Sequence, residues 1–169
     1  GTPVVFVLLA GSAVSFNGLE QELEGILAAW YPGQRGGDAV ADVLFGNYNP
    51  AGRLPVTFYS STNELPDFED YNMRAGNGFT YKYFNGSTLY PFGHGISYTK
   101  FKYSDLTINK KKFNNSDEVF VSVNIKNVGE LDGEEVVQLY VKDLESSILM
   151  PRKQLKGFER ISLKKGEKK

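Results

Sequence analysis

The sequence has 169 residues, a formal net charge of −1 and no cysteine. This length allows one domain or two small ones, and the near-neutral charge gives no electrostatic basis for binding nucleic acid or an anionic membrane. Without cysteine there are no disulfides, thiolate nucleophiles or cysteine-bound metals, and the cellular compartment stays open. The 10 tyrosines and 12 phenylalanines suit β-structure and carbohydrate-facing surfaces, although core packing is the commoner use of aromatic side chains.

The chain opens with the continuous apolar run PVVFVLLAG, residues 3–11. Its β-branched residues and its closing Gly-Ser predict a strand buried on both faces, as in a parallel α/β sheet. The run is too short to span a bilayer and lacks the flanks of a signal peptide. The chain begins with glycine and ends in LKKGEKK directly after a turn signal, so we expect it to be part of a longer protein.

A helix is predicted next, with Asn17 as its cap and glutamates in its first two turns. Its apolar face is formed by Leu19, Leu23, Ile26, Leu27 and Trp30. Strand followed by helix is the start of an α/β alternation.

Residues 30–58, WYPGQRGGDAVADVLFGNYNPAGRLPVTF, are dense in turn-forming glycine and proline. Asp38 is predicted as an N-cap or first-turn carboxylate of a second helix, whose apolar stripe runs to Phe45 and which Gly46 ends. NPAG is a turn, and residues 54–58 are a short strand. GQRGG is not followed by the lysine and hydroxyl pair of a phosphate loop, which argues against a nucleotide site.

Residues 60–78 are polar and irregular and predict a surface loop held in place by Leu65, Phe68 and Tyr71. The aromatic block that follows alternates around Asn85-Gly86, which predicts a hairpin. After Lys100 three segments alternate with period two, YSDLTIN, EVFVSVNIKNVG and EEVVQLYVKDL, and KQLKGFERISL adds one or two more strands. They predict an antiparallel β-sandwich with fewer strands than the usual seven or so, hence a truncated one.

The domain prediction is therefore an α/β region over residues 1–78, an aromatic hairpin and connector over 79–101, and an all-β domain over 102–169. Asn85-Gly86-Ser87 and Asn114-Asn115-Ser116 are glycosylation sequons, which matter only in a secreted eukaryotic protein.

Four blocks carry a family resemblance: AWYPGQRGGDAVADVLFGNYNPAGRLPVTF, LYPFGHGISYTKF, NVGELDGEEVVQLYV and LKGFERISL. In order and spacing they resemble the C-terminal part of glycoside hydrolase family 3, over essentially the whole chain. The sequence DYNMR at residues 70–74, which precedes TYKYF at residues 80–84, resembles the β-xylosidase branch of the family, although β-glucosidases share much of this pattern.

The resemblance implies a parent enzyme with a (β/α)8 barrel, an α/β sandwich domain and a fibronectin type III-like (Ig-like) domain. It implies a secreted or periplasmic exo-acting retaining glycosidase that releases xylose or glucose from β-linked oligosaccharides, as in xylan degradation, with no cofactor or metal. The family's nucleophile lies in the barrel, which would be the missing partner domain of the same chain, and its acid/base precedes the first strand. Neither carboxylate can be placed on this sequence, so the chain alone is expected to be inactive.

Substrate-rim candidates come from position, because ligands of open α/β sheets bind beyond the carboxyl ends of the strands. The loop after the first strand supplies Ser12, Ser15, Phe16 and Asn17. His94 stands in the PFGHG turn where the family commonly has tyrosine, either packing in its place or hydrogen-bonding at the rim.

The competing interpretation is a non-catalytic module that binds polysaccharide or supports other domains. Adjacent carboxylates in the sequence, Glu69-Asp70 and Glu134-Glu135, are predicted to be solvated loop and turn features rather than a catalytic pair.

Overall fold

The computed structural model of the protein describes residues 1–114 and 116–169. The chain divides into two compact units. The first comprises Gly1–Tyr48, Gly52–Gly95 and Gln138–Phe158, and the second comprises Asn49–Ala51, Ile96–Val137 and Glu159–Lys169. The boundaries drawn from the sequence after residues 78 and 101 stay a prediction. The sequon at Asn114 includes Asn115, which lies outside the described residues.

The first unit begins with a parallel pair of strands. β1, Val5–Leu8, lies beside β2, Gly25–Ala28, in continuous register. The helix predicted over residues 19–30 is therefore wrong: a 3₁₀ turn at Leu19–Glu22 is followed directly by β2. Short apolar runs fit helix and strand alike, and here the ladder with β1 decides between them.

The prediction that the first strand is buried on both faces is also wrong for this chain. Val4, Val5 and Leu9 are 50%, 50% and 61% exposed. The reason is that β1 has a single neighbouring strand, β2, in the described part of the chain. An apolar strand of this kind needs cover on its faces and its second edge.

The predicted second helix is confirmed as α1, Gly36–Leu44. Asp38 lies in its first turn and forms an ion pair with Arg35 at 2.8 Å, so it is a first-turn carboxylate and not the N-cap. Gly46 follows with a φ of 78°, the left-handed conformation that ends helices. Phe45, at the end of the predicted apolar stripe, is 83% exposed.

β3, Phe58–Tyr59, pairs antiparallel with β4, Thr88–Tyr90. The strand predicted over residues 54–58 is thus shorter than expected, and the hairpin around Asn85-Gly86 is wrong. Thr80–Tyr83 forms a single helical turn, α2. Distant backbone partners replace the hairpin ladder, since Asn85 N–H donates to the Asn77 carbonyl at 2.9 Å.

The loop of residues 60–78 contains a short 3₁₀ turn, Thr62–Glu64, and is otherwise irregular. Its predicted anchors are wrong, because Leu65, Phe68 and Tyr71 are 49%, 93% and 85% exposed. Polar turns hold the loop instead: the side-chain oxygens of Asp67 and Asp70 accept hydrogen bonds from backbone N–H groups two residues ahead.

The alternating segments of the C-terminal part are confirmed as long strands. β5, Phe101–Ile108, pairs antiparallel with β6, Val121–Asn127. β7, Gly133–Val141, pairs with β8, Gln154–Leu163, and these two strands contribute residues to both units. The core of the second unit consists of Ile125, Ile161 and Leu163, with Phe101, Val123 and Val137 packed against it.

Candidate functional site

The predicted rim loop follows β1, at the carboxyl ends of the parallel strands. Ser12 is exposed and lies beside Leu8 and Ala28, the last residues of β1 and β2, at a narrow gap that Trp30 and Phe58 also line. Ser12 therefore lies beside the ends of both strands, as its place in the sequence directly after the first strand led us to expect.

Two residues of the loop act as anchors. Ser15 Oγ lies 3.0 Å from the Ser60 carbonyl oxygen and 3.2 Å from Asn17 Oδ1, so its one proton can be donated to either. Phe16 is 9% exposed and packs edge-on against Phe6, with ring centroids 5.7 Å apart. These contacts hold the loop in shape and leave Ser12 and Asn17 as its exposed polar side chains.

Asn17 has a φ of 52°, in the left-handed region that asparagine tolerates better than most residues. Gly18 follows with a φ of 95°. This reversal, which glycine makes without steric cost, turns the chain from the rim loop into the 3₁₀ turn.

A row of aromatic rings runs from Trp30 to His94. Trp30 meets Phe58 edge-on at 6.3 Å, and Phe58 meets Tyr90 at 6.2 Å. His94 stacks on Tyr90, with centroids 5.1 Å apart and planes 21° apart. The candidates that the sequence placed in separate blocks are thus linked: Ser12 borders the Trp30 end of this row and His94 closes the other.

The backbone fixes His94 in its turn. The N–H of Leu54 donates to the His94 carbonyl at 2.8 Å, and the N–H of Gly93 donates to the Leu54 carbonyl at 2.7 Å. Gly93 has a φ of 81°, which explains glycine at this position of the turn. The imidazole therefore packs as an aromatic ring in a defined place, the first of its two predicted roles.

Burial, and secondarily the positive charge of Arg53, lowers the pKa of His94 below its ordinary 6.5. Both causes disfavour the imidazolium, so the stacked ring is neutral at pH 7. Burial, with a smaller contribution from the negative charge of Glu20, raises the pKa of Tyr90, and its phenol stays protonated.

A pH-dependent stability follows from His94, the one histidine of the sequence. Between its ordinary pKa and its lower folded value, the unfolded chain binds a proton that the folded chain does not. The free energy of unfolding should therefore fall as the pH is lowered from about 7.5 to about 5.5, and His94→Phe should flatten this dependence. Urea unfolding at several pH values in this range measures the free energy of unfolding of both proteins. An equal change with pH in both would contradict the lowered pKa of His94.

The adjacent carboxylates are used structurally. Glu134 forms an ion pair with Arg160, and Glu135 accepts a hydrogen bond from the Tyr103 hydroxyl at 2.8 Å. Glu69 and Asp70 are exposed on the loop.

Among residues 1–114 and 116–169, no group of three or more metal-ligating side chains is placed to hold an ion. No helix in this same part of the chain is long and apolar enough to cross a membrane.

A cavity of about 570 Å³ in the first unit was missed by the sequence reasoning. Its lining comes from three separate segments, residues 57, 81–92 and 140–153. The signals in the sequence were the basic residues Lys142, Arg152 and Lys153, but their spacing gives no indication that they meet one aromatic wall.

Comparison with known proteins gives two family matches. A model of the glycosyl hydrolase family 3 C-terminal domain matches residues 1–98, and a model of the fibronectin type III-like domain matches residues 135–169. The chain is similar to a periplasmic beta-glucosidase of Salmonella typhimurium, 41% identical over 100% of the chain and 23% of the relative. It is also similar to a xylan 1,4-beta-xylosidase of Xylanibacter ruminicola, 42% identical over 99% of the chain and 19% of the relative.

Solved structures agree. Beta-glucosidase 3B from Thermotoga neapolitana, in complex with glucose, superposes with a TM-score of 0.86 at 33% identity, over 99% of this chain and 25% of that one. The beta-D-glucoside glucohydrolase from Trichoderma reesei superposes with a TM-score of 0.86 at 29% identity, over 99% of this chain and 27% of that one. The chain thus spans 19% to 27% of the length of these four proteins.

Proposed function

The chain belongs to glycoside hydrolase family 3, and we propose that it works as the C-terminal part of an exo-acting retaining glycosidase. The enzyme releases xylose or glucose from the ends of β-linked oligosaccharides. The observation that carries the proposal is the similarity over the whole chain to a beta-glucosidase and to a xylan beta-xylosidase. The periplasmic relative supports a secreted or periplasmic enzyme.

Within that enzyme this chain is a scaffold. In the described part of the chain, neither the cavity of about 570 Å³ nor the gap beside Ser12 is lined by an aspartate or glutamate, whereas retaining chemistry needs two carboxyl groups that face one sugar. We assign nucleophile and acid/base to the rest of the parent protein. The half-exposed Val4 and Val5 and the more exposed Leu9 support a neighbouring domain, a barrel of the same chain, that covers β1.

The substrate rim is formed by the loop after β1. Ser12 and Asn17 present exposed polar groups beyond the strand ends, where open α/β sheets bind ligands, while Ser15 and Phe16 hold the loop. His94 supports this region from the far end of the aromatic row, through packing on Tyr90.

The test compares the 169-residue chain with the natural-length protein on aryl β-xyloside and aryl β-glucoside. The natural-length protein should release nitrophenol from at least one of them, and the 169-residue chain from neither. Release by the chain alone would contradict the assignment of both carboxylates elsewhere. Inactivity of the natural-length protein on both, with retention on insoluble xylan or cellulose, would favour a non-catalytic binding module.

A further inference from the structure

The cavity of about 570 Å³ in the first unit has the size of a site for a small organic molecule. Its wall is aromatic: Tyr81 and Phe92 stack at 4.2 Å with planes 17° apart, and Tyr140 meets Tyr81 edge-on at 6.1 Å. Hydrogen bonds fix these rings, since the Tyr140 hydroxyl donates to Gln138 Oε1 at 2.6 Å and the Tyr81 hydroxyl accepts from Leu155 N–H at 3.2 Å. The wall is therefore preformed.

All the charged side chains that line the cavity are positive. Lys142, Arg152 and Lys153 line it, and no aspartate or glutamate does. Arg152 is anchored by its side chain to the Phe84 carbonyl, and the Lys153 ammonium lies 4.5 Å from the centre of the Tyr140 ring. The Lys142 side chain has no hydrogen-bond or ion-pair partner within the described part of the chain. Such a site attracts an anion.

One residue of the lining, Thr57, has a buried and unpaired polar atom. Thr57 lines the cavity and is 6% exposed, and its Oγ1 has no hydrogen-bond partner among the described residues. Buried hydroxyls are normally paired, because leaving one unpaired costs its full desolvation penalty. Thr57 therefore brings an unused hydrogen-bonding group to the wall of the cavity.

We propose that this cavity binds a carboxylate-bearing saccharide of one or two rings. The sugar's apolar faces would lie on the aromatic wall, its carboxylate would pair with Lys142 and the neighbouring cations, and a ring hydroxyl would hydrogen-bond Thr57 Oγ1. The anionic group follows from the lining itself, whereas the choice of a saccharide rests on the proposed function. The site is separate from the loop after β1, with which it shares none of its lining residues.

The experiment is a calorimetric titration of the natural-length protein with sodium glucuronate, glucose and inorganic phosphate at one ionic strength. Glucuronate should bind roughly tenfold more tightly than glucose, because a charge-assisted contact is lost in glucose. Lys142→Gln should weaken glucuronate binding by roughly fivefold to tenfold. Thr57→Val should also weaken it, without lowering the melting temperature of the ligand-free protein, because the lost hydroxyl has no partner there.

Two matched variants serve as controls. Thr99 is as buried as Thr57, but its hydroxyl donates to Asn127 Oδ1 at 2.7 Å, so Thr99→Val should lower the melting temperature and leave binding unchanged. Lys126→Gln removes an exposed charge on β6 and should leave binding unchanged. Equal affinity for glucose and glucuronate, no binding of glucuronate, or unchanged binding in both cavity variants would overturn the proposal.

The titration with inorganic phosphate distinguishes a site that binds any small anion from a site that binds an anionic saccharide. Phosphate binding as tight as that of glucuronate would refute the saccharide assignment. These results are independent of glycoside hydrolysis, which is measured on neutral substrates. Failure of the cavity proposal thus leaves the proposed glycosidase function standing, and the reverse also holds.

Discussion

Asn127→Ala should reduce the free energy of unfolding by about 3–4 kcal/mol, because it removes a fully buried side chain that makes four hydrogen bonds. Asn127 has no exposed surface and ends β6. Its Oδ1 accepts from the Thr99 hydroxyl at 2.7 Å and from Gly129 N–H at 3.1 Å, and its Nδ2 donates to the carbonyls of Leu131 at 2.8 Å and Leu163 at 3.2 Å. One amide thus joins three segments of the second unit, around residue 99, residues 127–131 and the end of β8.

Alanine removes one hydrogen bond from each of these four partners, and the cost is largest at the buried Thr99 hydroxyl and the buried Leu163 carbonyl. Equilibrium urea unfolding measures it. Asn124→Ala is the matched control, since this half-buried asparagine of the same strand makes one side-chain bond, to Asp105 at 2.6 Å, and should cost about 1 kcal/mol or less. Equal losses in the two variants would show that the network around Asn127 does not hold the unit together.

Phe58→Ala should destabilise the first unit by about 3–5 kcal/mol, the usual cost of removing a buried phenylalanine ring. Phe58 is 2% exposed and lies in β3 between Trp30 and Tyr90. Its removal deletes the middle of the aromatic row, so Trp30 and the stacked pair of Tyr90 and His94 both lose a packing surface.

Phe68→Ala is the control for Phe58→Ala, because Phe68 is 93% exposed and its loss should change stability by less than about 0.5 kcal/mol. Thermal unfolding followed by near-ultraviolet circular dichroism reports on both, since the aromatic row contains the one tryptophan of the sequence. If the Phe58→Ala variant has the same melting temperature as the unsubstituted protein, the aromatic row is not part of the core.

The strands of the C-terminal part were predictable from local patterns. Period-two alternation over EVFVSVNIKNVG indicates β6, in which Ile125 and Asn127 are buried while Lys126 between them is exposed. The second helix was equally local, with Asp38 in its first turn and left-handed Gly46 after its end. In each case the residues that determine the element lie within it or within two residues of its end.

The misplaced elements depend on distant partners. The segment after Leu23 has helical spacing, yet β2 forms because β1 supplies a parallel ladder. Asn85-Gly86 has the chemistry of a hairpin turn, but Thr88–Tyr90 pairs with β3 and Thr80–Tyr83 is helical. The loop was expected to be held by Phe68 and Tyr71, whereas backbone bonds to aspartate side chains hold it.

The sequence by itself determined the family and the α/β-then-all-β order, because the order and spacing of sequence blocks are properties of a linear chain. The tertiary structure decided which side chains meet. Only folding stacks His94 on Tyr90, leaves Thr57 unpaired at a cationic cavity and gathers four bonds on Asn127. The cavity lining and the bonds of Asn127 to Thr99 and Leu163 join residues far apart in the chain. The energies of all these contacts depend on burial, which no local pattern records.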